Sequence, residues 1–109
     1  MEALGRWGQG LSTPEEEALA VRFTLQVLRQ KAPGSSVEVR VPPWGAAQAI
    51  EGPTHTRGTP PAVVEMSPTV WLQIATGSAM FESELSQGRI SASGERSNLS
   101  AWLPIVRLP

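Results

Sequence analysis

The chain has 109 residues, 40% of them hydrophobic and 17% charged, with a net charge of -1. That balance is typical of one soluble domain with a modest core, and it excludes a disordered tail and a basic nucleic-acid-binding surface. There is no Cys, Asp or Tyr and only one His, His55, so thiol nucleophiles, disulfides and a recognisable metal-ligand spacing are excluded as well.

Residues 1–12 show no strong periodicity and are expected to form a loosely ordered N-terminal segment of a single 1–109 domain. Met1–Gly10 also lacks the charged start and apolar middle of a signal peptide, and no run approaches the roughly 20 apolar residues of a membrane span. A cytoplasmic protein without stable membrane insertion is expected.

The first clear element is "STPEEEALAVRFTLQVLRQKAPG". Thr13 is placed to cap a helix, Pro14 suits its first position, Glu16 completes a capping box, and Glu15 to Glu17 oppose the positive end of the helix dipole. Ala18, Val21, Leu25, Leu28 and Ala32 recur at helical spacing. With Leu19, Phe23 and Val27 beside them the apolar face is wide, so the helix is expected to lie against something broad.

Period two takes over in "SSVEVRVPP", where Val37, Val39 and Val41 alternate with Glu38 and Arg40 until Pro42 and Pro43 end the strand. "WGAAQAIEG" reads as its hairpin partner. The turn-forming run from Gly52 to Pro61 predicts an exposed loop, and "AVVEM" a third strand. "SPTVWLQIATG" is a second helix, with Ser67 as cap, Pro68 at its first position and Gly77 as a left-handed stop.

A short helix from Phe81 to Gln87, a stop at Gly88, a strand "RISAS" ending at Gly94 and a brief helix interrupted near Pro104 complete the chain. Four strands are legible in all.

The succession from Thr76-Gly77 through a short helix to Gln87-Gly88, then an alternating strand to Gly94 and an acidic residue, resembles the C-terminal half of sterol carrier proteins of the type-two fold. The three glycines stand eleven and six residues apart, as in that family. The stretch from Ser36 to Leu72 resembles its small bacterial branch. Met80 stands where the family commonly has a capping Asn or Asp, Leu85 where it often has Phe, and Glu95 where it has Asp. The end Arg107-Leu108-Pro109 is not the peroxisomal tripeptide of some relatives.

The resemblance implies an α+β fold with a twisted sheet of about five strands, covered on one face by helices, and in lipid-binding relatives an apolar tunnel between the layers. A fatty acid, acyl thioester or other lipid is the implied partner. No cofactor is implied, and no catalytic residue.

The candidates to line such a tunnel are Trp71, Ile74, Met80, Phe81, Leu85, Trp102 and Leu103. The plainer role for each is to fill the core, because pockets and cores are lined by the same residue types. Met80 is singled out: a methionine at a cap position forfeits a helix-start hydrogen bond, and its flexible thioether suits variable ligands.

Arg57, with His55, is the candidate for a polar head group, against pairing with Glu51 or Glu65 on a plain surface loop. His55 as a general base would need a partner constellation that the sequence does not supply. Trp7 and Trp44 are read either as exposed contacts or as packing against the first long helix. The expectation is a non-enzymatic carrier of an apolar ligand; the alternative is a ligand-free interaction module with a closed core, whose protein partner or homo-oligomeric state stays open.

Overall fold

The computed structural model describes residues 2–52, 62–94 and 98–107. Among the described residues two helices, three strands, two helices and a last strand follow one another: α1 (Glu2–Gly8), α2 (Pro14–Lys31), β1 (Val37–Val41), β2 (Gly45–Ala49), β3 (Ala62–Met66), α3 (Pro68–Thr76), α4 (Phe81–Ser86) and β4 (Ile90–Ser93), with a 3-10 turn at Ser100–Trp102. Segment 1–12, expected to be loosely ordered, instead contains α1. Its Ala3 and Leu4 are buried and Arg6 reaches Glu16 of α2 at 2.7 Å, so the short helix is fixed by tertiary packing that its local sequence does not advertise.

α2 starts as its sequence dictates. The Glu16 N–H donates to Thr13 Oγ1 at 3.2 Å and the Thr13 N–H to Glu16 Oε1 at 3.1 Å, so two helix-start donors are satisfied reciprocally. The single wide apolar face expected of it does not form, because Leu19 and Phe23 stand two residues from Val21 and Leu25, about 160° around the helix. Ala20, Val21, Leu25 and Leu28 are buried, whereas Leu19 and Phe23 are exposed. The sheet and its neighbours take one side of α2, and those two point away from it.

The strands form one mixed sheet in the order β2-β1-β3-β4. β1 and β2 are the expected antiparallel hairpin, with Val39 opposite Ala47. β1 and β3 run parallel, with Val39 opposite Val64, and β4 is antiparallel to β3. Alternation puts Val37, Val39, Val41, Ala49 and Val64 on the covered face, each fully buried, and leaves Arg40, Gln48, Glu65 and Ser91 on the open one.

α2 and α3 lie over the covered face, and Trp71, Leu72 and Ile74 of α3 join Leu28 and the β1 valines in one core. The Trp71 indole Nε1–H donates to Thr24 Oγ1 of α2 at 2.8 Å, and that hydroxyl donates in turn to the Ala20 carbonyl at 2.7 Å. This buried polar chain is complete and locks the two helices at one point.

Two glycines are required by geometry. Gly77 ends α3 with φ 88°, a left-handed cap that turns the chain toward α4. Gly34 has φ 143°, and a Cβ there would stand 2.3 Å from the Ile50 carbonyl oxygen, so only glycine allows the chain leaving α2 to cross the end of β2.

Candidate functional site

The region expected to line a tunnel is built from the end of α3, the Gly77 turn, α4 and the C-terminal segment. That segment is tied down at several places. The Ile105 N–H donates to the Ala75 carbonyl at 2.9 Å, and Lys31 Nζ donates to the Ile105 carbonyl at 2.6 Å. A Cβ on Gly77 would lie 3.5 Å from Pro104 Cγ, and Ser100 Oγ stands 3.5 Å from Glu82 Oε1. The 3-10 turn and α4 therefore share one part of the surface.

α4 itself is a short, lightly anchored element. Ser67 caps α3 by accepting the Val70 N–H at 3.2 Å, but Met80, at the corresponding position of α4, makes no side-chain cap bond. The far end of α4 is pinned by charge: Arg89 meets the carboxylate of Glu84 through Nε at 2.9 Å and a terminal nitrogen at 2.7 Å. Hydrogen bonds from Arg89 are the main reason the Glu84 carboxyl is held below its ordinary pKa.

The seven apolar candidates divide by burial. Trp71, Ile74 and Phe81 lie in the core, Leu103 is half-buried, and Met80, Leu85 and Trp102 are exposed, Met80 by 70%. Trp71, Ile74 and Phe81 share the one core, and Met80 and Leu85 stand exposed at α4, whose Glu82 meets Ser100 of the 3-10 turn that carries Trp102. Arg57 and His55, the head-group candidates, lie outside the described residues, as does Glu95. Trp44 packs against α2, its Nε1–H donating to Glu17 Oε1 at 2.9 Å, while Trp7 is partly buried beside the core.

Three grooves lined by described residues lie elsewhere. One of about 600 Å³ runs between α2 and β2, past Gln26, Arg29, Pro33, Ala46 and Gln48. A smaller one of about 210 Å³ shares Gln26, Arg29, Ala46 and Ala47 with it and continues toward Arg22. A third, of about 400 Å³, lies beside the β1–β2 turn and includes Glu38, Arg40 and Glu65.

Sequence reasoning missed the α2–β2 groove. Its one signal was the polar stripe Arg22, Gln26, Arg29 along α2, which reads as an ordinary solvated face until the neighbouring strand is known. Among the described residues no group of three His, Cys, Asp or Glu side chains is placed to hold a metal ion, and no helix is long and apolar enough to cross a membrane.

A search of curated proteins finds no match to this chain. The family pattern described as a bacterial SCP ortholog, in which SCP stands for sterol carrier protein, matches residues 14–105, from the first turn of α2 to the buried Ile105. With its open four-stranded sheet covered on one face by helices, the chain belongs to the bacterial branch of the sterol carrier protein family.

Proposed function

We propose that the protein is a non-enzymatic cytoplasmic carrier that binds a fatty acid, acyl thioester or other lipid at the α4 end of the domain. The observation that carries this reading is the exposure of Met80, Leu85 and Trp102 around an α4 that lacks an N-terminal side-chain cap, with Phe81 of the same helix buried in the core. Outward displacement of α4 would uncover Phe81 and offer an acyl chain a way toward Ile74 and Trp71. Burial of the chain supplies about 0.8 kcal/mol per methylene, which is ample to offset the few contacts of a six-residue helix.

The test is native mass spectrometry of the protein purified from its own host, followed by thermal melts with fatty acids and acyl thioesters. A retained lipid mass, and a melting temperature that climbs with ligand concentration, are expected. A clean apo mass with no shift for any lipid would remove the carrier reading.

A second reading, a ligand-free interaction module, draws support from the core: Trp71 is fully buried and hydrogen-bonded to Thr24, so its space is already filled. In that case Met80, Leu85 and Trp102 form a contact for a protein, and variants polar at these positions would lose that partner while lipids remain without effect.

A further inference from the structure

β2 is an outer strand, and the direction of its free backbone groups follows from β1. The Ser36 carbonyl accepts the Ala62 N–H of β3 at 3.1 Å. Backbone groups alternate sides along a strand, so Glu38 and Arg40 also address β3, while Val37, Val39 and Val41 address β2. Their partners Ala49, Ala47 and Gly45 are thereby engaged, and the N–H and C=O groups of Ala46 and Gln48 turn outward. At the next outward position the Ile50 N–H is already taken by the Ala32 carbonyl at 2.6 Å. The chain leaving α2 thus bonds to this edge at one point, as a neighbouring strand would.

Among the described residues the edge beyond that point is open, and it is flanked by the groove against α2. The strand Gly45–Ala49 contains no Lys, Pro or inward charge of the kind that normally blunts an exposed edge. Among the described residues no carboxylate lines either part of the groove, whereas Arg22 and Arg29 both do. Arg29 has no ion-pair or hydrogen-bond partner among the described residues, in contrast to Arg6, Arg40 and Arg89, each of which pairs with a Glu. Arg22 uses Nε on the Trp44 carbonyl at 3.2 Å and has no carboxylate partner among the described residues.

We propose that this groove binds an extended acidic peptide segment of a partner protein, which adds to the sheet beside β2 while Arg29 and Arg22 pair with its carboxylates. Main-chain bonds to Ala46 and Gln48 would supply affinity, and the two guanidinium groups the choice of sequence. The spacing is also specified. Seven residues of α2 separate the arginines by about 10 Å, and side chains on one face of a strand recur every 6–7 Å, roughly, so the peptide's acids belong at positions i and i+2 or i+4. This site is separate from the α4 end and independent of what binds there.

The experiment is selection of a displayed library of random heptapeptides on the full chain, followed by fluorescence anisotropy of the selected peptides. Acidic residues at alternate positions are expected, with binding weakened by about tenfold or more in Arg29→Glu and falling with added salt. Ala46→Pro removes an outward N–H that takes no part in the ladder, so it should abolish binding with little change in the thermal melt. If Ala46→Pro fails to fold, amide shifts of Ala46 and Gln48 on peptide addition to the wild-type chain replace it. Absence of any selected peptide, selection of peptides without acids, or acidic peptides indifferent to Arg29→Glu and without effect at Ala46 and Gln48 would each overturn the proposal.

Discussion

Replacing Thr24 by Val isolates a buried polar link between α2 and α3. The side chain keeps its shape and β-branching, so packing and helix propensity change little. What is lost is the acceptor for Trp71 Nε1–H, 2.8 Å away at a fully buried site. An indole N–H left without a partner there costs about 1–3 kcal/mol, while the Ala20 and Val21 carbonyls that Thr24 also bonds keep their helical partners.

For a domain of this size each kcal/mol lowers the melting temperature by roughly 4–8 °C. Urea unfolding of Thr24→Val, Trp71→Phe and the double variant would measure the coupling directly. Trp71→Phe removes the donor, so Thr24→Val should cost markedly less in that background. An undiminished cost in the double variant, or a Thr24→Val protein as stable as the wild type, would refute the hydrogen-bond account.

Gly34→Ala is expected to destabilise by about 3 kcal/mol or more, because left-handed strain and overpacking each contribute about 1–3 kcal/mol and the new Cβ meets backbone that cannot move aside; a normal melt would contradict this. Met80→Asn supplies the missing cap of α4 and should raise stability by about 1 kcal/mol, read by chemical denaturation, while weakening any lipid response in the thermal melt.

The Glu84 carboxyl, lowered chiefly by hydrogen bonds from Arg89, contributes stability that is complete above the unfolded carboxylate value of about 4.3 and is lost as pH falls through the lower folded value. Glu84→Gln should therefore flatten the acid limb of a stability–pH curve below about pH 5, and an unchanged slope would show that the pair is thermodynamically silent.

Much of this fold was written locally. The Thr13 capping box, the Ser67 cap, the Gly77 stop and the period-two valines of β1 act over a few residues, and the structure places each where its chemistry requires. The same holds for Met80, whose missing cap bond was legible from residue type alone. Helix α1 was not legible, because its seven residues are held by Ala3, Leu4 and Arg6 against α2 rather than by any start or stop signal of their own.

What the linear order could not decide is which apolar residues the tertiary packing would cover and which backbone groups it would leave bare. Leu19 and Phe23 are as apolar as Val21 and Leu25, yet they stand about 160° around the helix from them and face solvent once the other side of α2 is packed. Ala46 and Gln48 became an open edge only because β1 found its second partner in β3, which begins 21 residues after β1 ends. The two arginines of α2 then acquired a strand to face. Capping, turning and alternation are properties of neighbours in sequence, so the sequence alone determines them; exposure and edge position are properties of neighbours in space, and only the assembled sheet confers them.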